Sequence, residues 1–177
     1  MLAATLSGVS RRALFLDRDG VVNVDHGYVH STDQTEWVPG IFDLARAAHD
    51  AGWAVIVVTN QAGIGRGYYS LDQFVTYTEW VHDVFRQRGA RVLATYYCPH
   101  HPSEGLDVYR KACGARKPGA GMIRRAIADW NIDARRSILI GDKPTDVEAA
   151  SVGGIGTALL IPSNDLVGSL EALRSLL

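Results

Sequence analysis

The sequence predicts an α/β fold: a doubly wound, mostly parallel, Rossmann-like sheet with helices on both faces. Three observations predict it. Short apolar runs alternate with amphipathic helical patterns along the whole chain. The runs are continuous rather than alternating, as in strands covered on both faces. Polar residues stand where the runs end, at Asp17, Thr59-Asn60, Cys98 and Asp142. Open α/β sheets bind ligands beyond such carboxyl ends.

The first strand is ALFLD, Ala13 to Asp17, an apolar run closing on a carboxylate. Pro39 then marks the first turn of a helix whose apolar face is Ile41, Leu44, Ala45 and Ala48. WAVIVVTN, Trp53 to Asn60, is the second strand. Ser70 and Gln73 form a capping box ahead of Phe74, Tyr77, Val81, Val84 and Phe85, and Gly89 ends that helix. VLATYYC, Val92 to Cys98, is the third strand. Pro118 opens a helix with Met122, Ile123, Ala126, Ile127 and Trp130. SILIGD, Ser137 to Asp142, is the fourth strand. Thr145 with Glu148 caps the next helix, which stops at Gly153-Gly154. GTALLI, Gly156 to Ile161, is the fifth strand, and Asn164 caps a last helix bearing Leu166, Leu170, Leu173 and Leu177.

A length of 177 residues fits one domain, read here as residues 13–177 behind a flexible tail of residues 1–12. That length buries a full core without disulfides or a structural metal. A net charge of -1 gives no basic footprint for nucleic acid. Two cysteines fit a reducing compartment, so the expected location is the cytoplasm. No apolar run approaches a membrane span, and the arginines of MLAATLSGVSRR follow its apolar residues, the reverse of a secretory signal. Nothing demands more than a monomer.

The polar strand ends carry the chemistry. In LDRDGVVN, Asp17 and Asp19 flank Arg18 and precede Gly20. Alone, this is a strand exit with an Asp-Gly turn. It is joined by Thr59-Asn60, by Arg116-Lys117-Pro118, and by Gly141-Asp142 with Asp146 four residues on. In this order the residues resemble the haloacid dehalogenase superfamily of aspartyl phosphotransferases, over nearly the whole chain from Leu14 to about Ile161. FLDRDGVVNVDHGYVH, VVTNQAGIGRG, YYCPHHP and ARKPGAGM look like the D-glycero-D-manno-heptose 1,7-bisphosphate 7-phosphatase branch, with histidinol-phosphate phosphatases as near relatives.

The resemblance implies a nucleophile at Asp17 and a general acid and base at Asp19. Thr59 and Lys117 would hold the phosphoryl group. Asp17, the backbone carbonyl of Asp19 and Asp142 would bind magnesium. These residue types suit the reaction: a cation held by carboxylates offsets the repulsion between an anionic nucleophile and phosphoryl oxygens, and two nearby carboxylates divide the nucleophilic and proton-transfer roles. VDHGYVH offers Asp25, His26, Gly27 and Tyr28 to the sugar. Asn60, Gln61, Arg66, Arg116 and Lys143 complete the expected substrate contacts, an arginine fork being suited to a second phosphate. Asp146 helps a helix start in any case and is a supporting partner of Lys143. About 20 residues lie between Gly20 and the first helix, which leaves no room for a separate cap domain, so the site is expected to be open and walled by loops.

The implied activity is a magnesium-dependent sugar bisphosphate phosphatase, feeding nucleotide-activated heptose into surface polysaccharide. Two alternatives are histidinol phosphate as substrate and a non-catalytic phosphosugar-binding module. Relatives of the branch often carry a structural zinc on Cys-x-His and Cys-x-Cys. Cys98, His100 and Cys113 match three positions, but Ala115 stands at the fourth. A closed structural zinc site wants four ligands, so tight zinc is not expected here. The wall beside Lys117 must then be held by loop packing.

Overall fold

The computed structural model describes residues 10–177. Five strands form one parallel sheet in the order β3-β2-β1-β4-β5. They are β1 (Ala13–Leu16), β2 (Ala54–Asn60), β3 (Val92–Cys98), β4 (Ile138–Gly141) and β5 (Thr157–Leu160). β1 is central, with Leu16 opposite Val57 on one side and Ile140 on the other. The strand order reverses at β1, so the switch point lies where Asp17 leaves the sheet.

Successive strand side chains point to opposite faces, and each face has its own core. Leu14, Leu16, Val55, Val57, Ile138 and Ile140 pack under α1 (Ile41–Asp50), α3 (Leu71–Gln87) and α6 (Leu170–Ser175). Phe15, Ile56, Val58 and Leu139 pack under α4 (Gly121–Trp130) and α5 (Pro144–Gly153). β1, β2 and β4 are all buried on both faces, which is why they read as unbroken apolar runs. Among the described residues no helix is long and apolar enough to cross a membrane.

The capping box of Ser70 and Gln73 forms as expected, and Gly89 follows α3 at φ 82°. Four boundaries differ from expectation. The N-cap of α1 is Gly40 at φ 88°, so Pro39 precedes the helix rather than sitting in its first turn. The Lys117-Pro118 bond is cis, and α4 starts only at Gly121. α5 is capped by Asp146, whose Oδ2 accepts the Lys143 N–H at 3.0 Å, and not by Thr145. Asn164 lies at φ 66° and starts no helix, since a short 3-10 turn at Val167–Ser169 leads into α6. Of the expected tail, residues 1–9 lie outside the described part. Arg11 and Arg12 are tied in: Arg11 N–H donates to the Asn131 carbonyl at 3.0 Å and the Arg12 carbonyl accepts from Ala54 at 2.9 Å. The connections that wall the site hold only short helical pieces, Thr32–Gln34, α2 (Ala62–Gly65) and Asp107–Tyr109.

Candidate active site

The ends of β1, β2 and β4 converge on Lys117. Its ammonium lies 2.7 Å from Asp17 Oδ1 and 2.6 Å from Asp146 Oδ1, and donates to the Val58 carbonyl at 2.9 Å. All three side chains of this group are buried. Burial works against the Lys117 charge, but the two carboxylates overcome it and hold its pKa above the ordinary lysine value. The pKa of Asp17 is also raised, which for a carboxylate disfavours the charge. Burial raises its pKa to about 6, Lys117 opposes that rise, and Asp146 and Asp19 add to it.

Lys117 is placed by its backbone. Asn60 Oδ1 accepts the Lys117 N–H and Asn60 Nδ2 donates to the Lys117 carbonyl, each at 3.0 Å. Asn60, expected to touch substrate, lines the cleft as well as bracing the lysine with its amide. Gln61 is similarly committed. Its Nε2 donates to Asp19 Oδ2 at 3.1 Å and to Thr59 Oγ1 at 2.9 Å, while its Oε1 accepts from Tyr69 OH at 2.5 Å. Because Thr59 Oγ1 accepts from Gln61, its own proton is free to point elsewhere, and the niche beside it holds Asp17, Asp19 and Lys117. The Tyr69 ring packs closely against Gly63, where a Cβ would stand 2.3 Å from Tyr69 Cε1.

Asp19 is clasped by Arg18, whose Nη2 reaches both carboxylate oxygens at 2.9 and 3.0 Å, and by Asn23 Nδ2 at 3.0 Å. Arg18 itself is buried, with its guanidinium 5.4 Å from the Tyr77 ring centre and 5.9 Å from that of Phe74. Asp142 is an unsatisfied member of the group, as is Arg18 at its Nη1, while Asp146 Oδ1 has only its ion pair with Lys117. Asp142 Oδ1 is buried with no hydrogen-bond partner, and its Oδ2 sits so close to Gly20 that a Cβ there would be 2.2 Å away. One oxygen each of Asp17, Asp142 and Asp146 falls within 4.8 Å of the others, a spacing that fits a divalent cation.

This niche, about 50 Å³, opens into a cleft of about 450 Å³. Asp25, Gly27, Tyr28, Arg66, Arg116 and Lys143 all line the cleft. Arg66 bonds the Tyr28 hydroxyl and pairs with Glu104. Arg116 donates to the His100 carbonyl at 3.1 Å, and Lys143 lies 3.3 Å from Asp25 Oδ2. Burial opposes the Lys143 charge, but Asp142, Asp17 and Asp25 raise its pKa above the ordinary value. His26 departs from expectation: it does not line the cleft and instead faces Glu36 at 3.1 Å.

Cys98, His100 and Cys113 also meet, with donor atoms within 4.8 Å of one another and Cys98 Sγ 3.6 Å from His100 Nδ1. Burial pushes the Cys98 thiol up to about 11, so this thiol holds its proton firmly. Ala115 packs against the core beneath α4 with Cys113.

Four residues of the site have roles that the sequence does not spell out: Asn23, which holds Asp19, and Asp146, Arg18 and Tyr69. Asp146 contacts Lys117 directly rather than merely supporting Lys143, and its place four residues after Asp142 was the available signal. Arg18 and Tyr69 carried no signal, because their partners are set by side-chain direction and by a separation of eight residues between Tyr69 and Gln61.

A protein of Burkholderia mallei called D-glycero-alpha-D-manno-heptose-1,7-bisphosphate 7-phosphatase is 48% identical over 157 residues, 89% of this chain and 83% of that one. The chain belongs to this heptose-bisphosphate phosphatase family. The Escherichia coli K12 member, named for the beta anomer, is 44% identical over 84% of this chain and 78% of its own. A wider family model, HAD-hydrolase-like, matches residues 114–163, which span Lys117, Asp142 and Asp146. Among solved structures, the D,D-heptose 1,7-bisphosphate phosphatase of B. bronchiseptica, complexed with magnesium and phosphate, superposes with a TM-score of 0.73 at 32% identity, covering 82% of this chain and 78% of that one. A HAD-like phosphatase of Mesorhizobium loti superposes at 0.86 with 29% identity over 94% of this chain and 86% of that one. The family thus joins the sheet and the converging carboxylates to phosphatase chemistry.

Proposed function

We propose that the protein hydrolyses the 7-phosphate of D-glycero-D-manno-heptose 1,7-bisphosphate. The observation that carries this reading is the buried trio of Asp17, Lys117 and Asp146 beside the unpartnered Asp142 oxygen. Asp146 also caps α5, a use that requires neither Lys117 nor Asp17 beside it. A carboxylate at a strand end, raised by burial to about 6 and touching a fixed ammonium, is a nucleophile held next to the charge that neutralises its target.

Asp17 attacks phosphorus in line and forms an aspartyl phosphate, and Lys117 and the Thr59 hydroxyl balance the phosphoryl charge. Asp19, fixed by Arg18, Asn23 and Gln61, gives its proton to the departing sugar oxygen and later takes one from water. Asp17, Asp142 and the Asp19 carbonyl would hold magnesium, and the unpartnered Asp142 oxygen fits that use. Bound there, the ion would neutralise phosphoryl charge and fix its orientation. Cations at Arg66, Arg116 and Lys143 around the outer cleft suit the second phosphate, and Asp25 and Tyr28 suit sugar hydroxyls. Two free cysteines accord with work in the cytoplasm.

Phosphorus NMR of the bisphosphate during turnover tests the reading. The resonance of the 7-phosphate should vanish first, leaving the 1-phosphate intact. Loss of the 1-phosphate first would refute the proposed orientation.

A further inference from the structure

We infer that Asn164 is a positioning residue for the substrate loop, tying Asp25 to the catalytic turn from the far end of the chain. The inference rests on the heptose-phosphatase reading and extends it to how the loop is held. Asn164 lies beyond β5, 139 positions from Asp25. Its backbone is left-handed at φ 66°, a conformation asparagine tolerates better than most residues. That conformation sends its two polar groups to two places. The Asn164 N–H donates to the Gly20 carbonyl at 2.8 Å, and its Oδ1 accepts the Asp25 N–H at 2.8 Å.

One residue therefore bonds both the turn that follows Asp19 and the loop that presents Asp25. The segment around it has little slack. Leu166 is fully buried two positions on, and a Cβ at Gly20 would stand 2.7 Å from Ser163 Oγ. Asp25 is held on its other sides as well. Its Oδ1 accepts the Gly27 N–H at 3.0 Å and its Oδ2 faces Lys143 at 3.3 Å. Asn164 itself does not line the cleft, so it acts on substrate only through Asp25 and its neighbours. Removing its acceptor should loosen the loop while sparing the niche around Asp17.

Substitution by glycine keeps the left-handed backbone available and deletes only the side chain. Substitution by aspartate retains an acceptor for the Asp25 N–H. In Asn164→Gly, KM for the heptose bisphosphate should rise about fivefold, the worth of one hydrogen bond. Its kcat, and its turnover of p-nitrophenyl phosphate, should stay within about twofold, as for an interaction that only positions substrate. Asn164→Asp should restore KM. Amide exchange across Asp25 and Tyr28 should be faster in Asn164→Gly than in either other protein. Unchanged KM and exchange in Asn164→Gly would overturn the inference, as would failure of Asn164→Asp to rescue, or equal loss on both substrates. Wild-type protein that hydrolyses the aryl phosphate but not the bisphosphate would sink the heptose reading instead, and the exchange comparison would still decide the role of Asn164.

Discussion

Replacing the nucleophile should stabilise the metal-free protein. Asp17 is buried, and its carboxyl is raised from 3.8 to about 6 even with Lys117 2.7 Å away. Ionising it in the folded state is therefore harder than in the unfolded chain, by about 3 kcal/mol. The sign follows from proton binding. Between 3.8 and about 6 the folded protein holds this proton and the unfolded chain does not. The group's favourable contribution is complete below 3.8 and is lost as pH rises through about 6. Asparagine mimics the protonated form and never suffers that loss. Lys117 keeps Asp146 at 2.6 Å and the Val58 carbonyl at 2.9 Å, so it is not abandoned. In chelator at about pH 7, Asp17→Asn should gain about 3 kcal/mol, or about 6–12 °C in Tm for a domain of this size. At about pH 4 the gain should vanish. Phosphatase turnover should be lost at every pH. Calorimetry of both proteins at the two pH values reads the difference. A Tm that falls at about pH 7 as much as at about pH 4 would refute the reasoning.

Asp146→Ala should act oppositely, because it leaves Lys117 and the Lys143 N–H short of a partner. Stability should fall by about 3 kcal/mol or more, and kcat by about 10- to 100-fold, read by thermal melting and phosphate release. Full turnover would show that Asp17 and the Val58 carbonyl suffice to hold the lysine. Gly63→Ala should push the Tyr69 ring off its seat, where a Cβ would stand 2.3 Å from Cε1. A loss of about 1–3 kcal/mol is expected, with lower kcat through the freed Gln61, and a wild-type melt would contradict that packing. Protein purified without added metal should carry zinc well below one equivalent, and Ala115→Cys should raise it to stoichiometric. Emission spectrometry measures both, and stoichiometric zinc in the parent protein would show that Cys98, His100 and Cys113 suffice.

Much of this architecture is legible in the sequence, for physical reasons that differ by element. β1, β2 and β4 are buried on both faces, and short continuous apolar runs between helical patterns suit such strands. Asp17, Thr59 and Asp142 stand at strand ends or just after them, where local pattern and chain order point to the same edge, and Lys117 stands in the loop just ahead of α4. Boundaries are less legible. Pro118 looks like a helix start, but α4 waits until Gly121. Hydrogen bonds that depend on side-chain direction are not legible at all. Asn60 and Gln61 line the cleft as expected, but that their amides also bond Lys117, Asp19 and Tyr69 is not readable from the sequence. Asn164 reads as a helix cap because asparagine favours both caps and left-handed turns, and only the tertiary contact to Asp25 separates the two.

The central claim is a phosphatase whose cleft selects a heptose bisphosphate. It is tested most directly by comparing kcat/KM, in magnesium, for both anomers of D-glycero-D-manno-heptose 1,7-bisphosphate and for histidinol phosphate. One heptose anomer should be turned over far faster than histidinol phosphate, and the Asp17→Asn protein should release nothing from any of them. Faster release from histidinol phosphate, or turnover that survives Asp17→Asn, would contradict the account.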